Sequence, residues 1–207
     1  MNKPLVIGIT GPSGAGKSVV VQALLHIPTV RAIDMDQLSR EVTQIGSPTL
    51  QKLVEAFSDS ILQEDGSLDR RRLATLAFSD SQSTAILNSI THPAIWKETE
   101  KRLATHSRDP LVQAVLLDAP LLLESGMDRI CDRVIVVIAP EKTRLSRIVK
   151  RDDLTPEQAQ LRFKRQQPDA FYTDKADLVV HNIGDATALP ALLQRVCQQA
   201  KEWIDHD

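Results

Sequence analysis

Apolar positions along the chain fall into two patterns. Short unbroken runs at Leu5 to Thr10, Val30 to Ile33, Ala114 to Leu117, Arg133 to Ala139 and Asp177 to Val180 have strand length. Arg133 to Ala139 is nearly all Val and Ile, as suits a strand buried on both faces. Stretches with helical character lie between and after them: Val19 to Leu25, Gln37 to Val42, a segment starting near Pro140, and an amphipathic Leu189 to Ile204. Five strands alternating with helices predict a parallel sheet covered on both sides. From Ser47 to about His106 the strand pattern disappears. This reads as an all-helical insert, with a helix start at Ser47-Pro48 and a turn at Glu64-Asp65-Gly66-Ser67. A break is expected at His92-Pro93, because the residue before proline avoids the α region.

The helix from Pro140 carries Arg144, Arg147 and Arg151 at three- and four-residue spacing, which puts them on one face. Thr155-Pro156-Glu157-Gln158 then reads as a capped start to a second basic helix bearing Arg162, Lys164 and Arg165. The pair reads either as a lid over polyphosphate or as ordinary solvated surface.

The chain has 207 residues, enough for one domain with a sizeable core and small appendages. Net charge is −2 and aromatic content 3%, so neither a basic footprint nor a stacking platform points to nucleic acid as the main partner. Small-molecule substrates are favoured, and the pattern sets no oligomeric state. Cys131 and Cys197 are far apart with no Cys-x-x-Cys, so they are expected as buried, reduced thiols rather than metal ligands or a disulfide. The first apolar run is too short for a signal-peptide core. The longest apolar region, Leu111 to Leu123, is interrupted by Gln113, Asp118 and Pro120, well short of a membrane span. A cytoplasmic protein with no membrane partner is the expectation.

The most specific chemistry lies between the first strand and the first helix. Gly11-Pro12-Ser13-Gly14-Ala15-Gly16-Lys17-Ser18 fits Gly-x4-Gly-Lys-Ser/Thr. Glycines allow consecutive amides to turn onto phosphate oxygens, and the following helix aims its positive end at the same anion. Lys17 is expected on the β and γ phosphates of ATP and Ser18 on magnesium, with Val19 continuing the loop into the helix.

Further candidates sit at the carboxyl ends of strands, where open parallel sheets hold ligands. Asp34 and Asp36 end the second; Asp36 suits either a helix N-cap or a catalytic carboxylate. Asp118 ends the third, in the manner of a Walker-B aspartate that organises the magnesium shell. Asp69-Arg70-Arg71-Arg72 reads as a solvated face that could also meet an anionic substrate. His92 reads as structural more readily than catalytic.

These landmarks together resemble the dephospho-CoA kinase family, P-loop kinases that phosphorylate the ribose 3'-hydroxyl of dephospho-CoA. The resemblance covers nearly the whole chain. It rests on the glycine loop, Ile33 to Asp36, the Asp65 to Arg71 turn, His92-Pro93, Pro120-Leu121-Leu122-Leu123-Glu124, Arg147 to Asp153, and Ala176-Asp177 to Asn182-Ile183-Gly184. Two positions depart from the family's usual pattern: Pro12-Ser13-Gly14-Ala15 in the loop, and Arg144 where Gln is common.

The resemblance implies Asp36 as general base with Asp34 its neighbour, and Arg147 as a lid arginine. It places Asn182 near the adenine of ATP and has His92, Pro120, Leu121, Leu122 and Glu124 contribute to the acceptor pocket. The fold implied is an α/β P-loop NTPase of the nucleoside-monophosphate-kinase kind. Its core would span about 1–36, 107–143 and 172–207, its helical acceptor-binding insert 37–106 and its lid 144–171. From the residues alone, a nucleoside or nucleotide kinase is the rival enzyme. A GTPase-like switch would need Asn-Lys-x-Asp, which the sequence lacks.

Overall fold

The computed structural model describes residues 3–153, 155–164 and 166–206. Arg165 and the side chain of Arg162, two basic positions of the expected lid, lie outside the described part. The chain divides into two compact units, Met1–Ile33 with Thr105–Asp207, and Asp34–Ala104.

The first unit is built on β1 (Leu5–Thr10), β2 (Val30–Asp34), β3 (Ala114–Asp118), β4 (Arg133–Ile138) and β5 (Leu178–His181), in the order β2-β3-β1-β4-β5. β1 pairs in parallel with β3 and β4, and β4 with β5, Ile7 facing Leu116 on one side and Arg133 on the other. Every residue of β1 is buried, as a central strand covered on both faces requires. α1 (Lys17–Leu25) and α9 (Leu189–His206) supply Val20, Val21, Leu24, Val196 and Ala200 to one cluster with Ile7, Ile9, Ile135 and Val137. At the amino end of the sheet, Asp132 and Asp177 each accept a strand amide, from Val6 and Val134, both at 2.7 Å.

The chain leaves β1 toward the β2 edge and leaves β3 toward β4, so the carboxyl ends of these neighbours flank a topological switch point. Asp118 faces Ile9 in that register, which sets it beside the start of the glycine loop. Three further helices complete this unit: α6 (Glu141–Asp152), α7 (Pro156–Lys164) and the short α8 (Asp169–Thr173), the last not anticipated from the pattern.

The second unit contains α2 (Met35–Val42), α3 (Pro48–Phe57), α4 (Arg70–Ala77) and most of α5 (Ser81–His106) around Leu50, Leu53, Ile61, Leu68, Leu73 and Ala77. Ser47 caps α3 through Leu50 N at 3.1 Å, as its sequence announced. The insert is not wholly helical: Leu62 and Leu68 form an antiparallel bridge, closed by Gln63 N on Ser67 O at 2.8 Å. Nor does His92-Pro93 break the helix, for Pro93 lies inside α5. Pro93 and Ser89 are both exposed, so the Ser89 carbonyl that loses its i+4 partner can be hydrated.

Cys131 and Cys197 are free thiols, half-buried rather than fully buried. Burial, followed by the charges of Asp128 and Asp132, pushes the Cys131 pKa up to about 12.

Candidate active site

The glycine loop is shaped by what surrounds it. Gly11, Gly14 and Gly16 have φ of 142°, 81° and 95°, which disfavour any side chain. A Cβ would lie 2.1 Å from Val137 O at Gly11, 2.6 Å from Arg144 O at Gly14 and 2.2 Å from Asn182 Nδ2 at Gly16. β4, α6 and the segment after β5 therefore press on the loop where it has no side chains. α1 starts at Lys17, two residues earlier than its apolar pattern, with Gly16 at the N-cap and no side-chain cap bond. An anion can thus take the first-turn amides, at the positive end of the helix dipole.

Two buried or half-buried groups brace the loop from behind its sequence. Arg147 Nη1 donates to the carbonyl oxygens of Gly14 (3.0 Å) and Ala15 (3.1 Å), and Nη2 to Asn182 Oδ1 at 3.3 Å. Asn182, 5% exposed, donates through Nδ2 to Ala15 O at 2.9 Å and accepts from Gly184 N at 3.3 Å. The Asn182 amide is thus committed within the protein, while Ile183 beside it is 60% exposed. Arg147 keeps N–H donors over, since a guanidinium carries five.

Lys17 Nζ lies 2.5 Å from Asp118 Oδ1. Among the described residues nothing takes Asp118 Oδ2. Ser18 and Val19 are exposed in the first turn of α1. This is a hard-oxygen donor set, hydroxyl and carboxylate, of the kind magnesium takes when phosphates and water complete its shell. No group of three or more His, Cys, Asp or Glu among the described residues would hold a metal by itself.

The three arginines of α6 have different fates. Arg144 is buried, pairs with Asp169 at 3.2 Å and lies 4.5 Å over the Phe163 ring, joining α6 to α7 and α8. Arg151 is exposed, held by Asp152 at 2.7 Å and reaching Ser13 Oγ at 3.4 Å. The Thr155 cap of α7 is reciprocal, with Thr155 N on Gln158 Oε1 (3.0 Å) and Gln158 N on Thr155 Oγ1 (3.3 Å). A further contact had no sequence signal: Gln166 Oε1 accepts the Ser13 amide of the loop at 2.8 Å.

After β3, Thr10 Oγ1 donates to Pro120 O at 3.2 Å. Leu121 is exposed, but Leu122 is fully buried against Gly8, so its side chain supports this segment from the core. Glu124 accepts from Tyr172 Oη at 2.9 Å, and burial followed by the Glu124 charge holds the Tyr172 phenol well above its usual pKa.

In the second unit, Asp34 rather than Asp36 caps α2, its Oδ1 accepting from Asp36 N (2.9 Å) and Gln37 N (3.0 Å). Asp36 is exposed in the first helical turn. His92 is half-buried in α5, and burial lowers its pKa, favouring the neutral ring.

Residues 5–188 match the family model for dephospho-CoA kinase. The chain is 42% identical over 192 residues to a dephospho-CoA kinase of Corynebacterium glutamicum, covering 93% of this chain and 97% of that one. It is 38% identical over 195 residues to one from Bacillus thuringiensis, covering 92% and 96%. Among solved structures, TT1252 from Thermus thermophilus superimposes with a TM-score of 0.79 at 30% identity, over 96% of this chain and 98% of that one. Shikimate kinase from Acinetobacter baumannii shares the fold, with a TM-score of 0.54 at 17% identity over 96% and 94%. With a glycine loop, Lys17 and Asp118 at the switch point of a five-stranded α/β sheet, and a family match spanning both units, this chain belongs to the dephospho-CoA kinase family.

Proposed function

We propose that the protein transfers the γ-phosphoryl group of ATP to the ribose 3'-hydroxyl of dephospho-CoA, with Asp36 as general base. The observation that carries the acceptor is the family match across residues 5–188. Phosphoryl transfer asks for in-line positioning and positive charge around the moving group rather than covalent help. Lys17 and the first-turn amides of α1 address the β and γ phosphates, and the same lysine gives up Asp118 as it does so. Ser18 and Asp118 would hold magnesium, which when bound neutralises charge on the β and γ oxygens.

Asp36 accepts the proton of the attacking hydroxyl, a contribution of about 10²- to 10⁴-fold. Asp34 keeps the Asp36 turn in place as the helix cap. Arg147 holds the loop carbonyls and offers its remaining donors to the transferring phosphoryl group. The Asn182 side chain acts as a brace, so contact with the adenine falls to its neighbours, Ile183 first. His92 of the second unit and Pro120, Leu121 and Glu124 of the first are assigned as acceptor contacts, and Leu122, buried against Gly8, supports its own segment. No helix among the described residues is long and apolar enough to cross a membrane. The substrates are small molecules, and the enzyme is placed in the cytoplasm as part of this reading.

The test is ADP release measured with dephospho-CoA, guanosine monophosphate and uridine side by side. Release with dephospho-CoA alone is expected; comparable release with either of the others would overturn the acceptor assignment.

A further inference from the structure

Arg70 heads the basic run Asp69-Arg70-Arg71-Arg72, yet it behaves unlike the other two arginines. Its Nη2 donates to Thr43 Oγ1 at 2.7 Å, and that hydroxyl itself donates to Ser39 O at 2.8 Å and Arg40 O at 3.3 Å. Thr43 is buried, so the guanidinium of the exposed Arg70 is steadied at the carboxyl end of α2. Burial first, and then the charge of Arg40, lower the Arg70 pKa, so the charge that perturbs it is a second cation. Arg70 forms no ion pair with a carboxylate among the described residues. Arg40 and Arg70 are both exposed, and an anion taken up between these two like charges would relieve their repulsion.

Helical geometry says which anion. Met35 and Leu38 form the buried side of α2. Positions 36, 40 and 43 fall at four- and three-residue spacing on another side, so Asp36, Arg40 and Thr43 run in one line along the helix. Arg40 lies about 6 Å and Thr43 about 10 Å along the axis from Asp36. In dephospho-CoA the hydroxyl that is phosphorylated and the diphosphate belong to the same ribose, on its 3' and 5' carbons, so a diphosphate sits a few bond lengths beyond a hydroxyl placed at Asp36.

We infer that Arg40 and Arg70, steadied by Thr43, form the subsite for the diphosphate of the acceptor, in line with Asp36 along α2. The inference rests on Asp36 being the base that receives the acceptor hydroxyl. Arg71 and Arg72 of the same run make no side-chain hydrogen bond to α2 like that of Arg70 and take no part.

The experiment is steady-state kinetics on the full chain carrying Arg40→Gln, Arg70→Met and both, with Arg72→Gln as the charge control. Adenosine, which has the 3'-hydroxyl and no diphosphate, serves as a truncated acceptor. The double variant should raise KM for dephospho-CoA by at least about tenfold while kcat and KM for ATP stay within about twofold. Its kcat/KM for adenosine should match the wild type, and Arg72→Gln should match it throughout. Arg70→Lys, which keeps the charge but not the fork, should fall between. An unchanged KM for dephospho-CoA in the folded double variant would overturn the inference. So would an equal loss with adenosine, or a shift in KM for ATP instead. Failure of the underlying reading looks different: Asp36→Asn would then keep turnover with both acceptors, whatever the arginine variants do.

Discussion

The cations around the glycine loop have partners inside the protein, whereas Arg70 in the helical unit stands beside another cation. Lys17 rests on Asp118, Arg147 on two loop carbonyls and Asn182, and Arg144 on Asp169 and Phe163. Arg70 has a hydroxyl for an anchor and Arg40 for a neighbour. Matched charges keep a site in shape before its ligand comes, and preorganisation of that kind is where electrostatic catalysis draws its strength. Unmatched ones leave their interaction energy to be collected from the ligand, which serves binding. The cations at the glycine loop are therefore expected to govern turnover, together with the base Asp36, and the arginines Arg40 and Arg70 the affinity for the acceptor.

The largest expected effect is at Lys17. Lys17→Ala should lower kcat by about 10³-fold or more without unfolding the chain, because the side chain addresses phosphate and no core residue depends on it. Single-turnover rates at saturating ATP would show this, and near-normal turnover would remove the loop from the mechanism. Asp36→Asn comes next, with a loss of about 10²-fold in kcat and little change in KM for ATP. Since Asp34 makes the cap, thermal stability should hardly move. A variant that melts earlier but still turns over would return Asp36 to a structural role.

Arg147 and Arg144 share a helix face and sharpen the contrast. Arg147→Ala should cost about tenfold in turnover, or about 1.4 kcal/mol. Arg144→Ala should instead cost stability, about 1–3 kcal/mol, because it strands Asp169 and removes the stack on Phe163. Urea denaturation alongside kinetics separates the two, and equal kinetic losses with equal stability would erase the distinction.

The smallest effect is at the start of α5. Asp80 accepts from Ser83 N and Ser83 Oγ, both at 2.8 Å, and from Ser79 Oγ at 2.9 Å. Led by the Ser83 backbone bond, these contacts depress the Asp80 pKa from 3.8 to about 2. Between those values the unfolded chain binds the extra proton, so the cap's contribution is fully present above about pH 4 and is lost as pH falls toward 2. The melting-temperature gap between wild type and Asp80→Ala should be constant near neutrality and shrink across that window. A gap independent of pH would mean the carboxylate charge is not what caps the helix.

Features set by neighbours in the chain were legible without the fold. The glycine motif, the Ser47 and Thr155 caps and the existence of five strands are written in residue type and spacing over a few positions, so the sequence by itself determined them. Features set by distant partners were not. Arg144, Arg147 and Arg151 look alike along α6, and only the arrival of Asp169, Phe163, the loop carbonyls and Ser13 makes one a buried tie, one a brace and one a surface contact. Pro93 looked like a helix end because the local rule weighs only the residue before proline, while Leu87 and Ile90 ahead of it pack on the insert's core and Thr99 beyond it is buried against Met35, which keeps the helix running. Gln166 on the Ser13 amide and Thr43 under Arg70 carried no local signal at all. A side chain's chemistry is written in the sequence, but what desolvates it and what it pairs with are decided by residues tens of positions away, and those only the tertiary structure brings within reach.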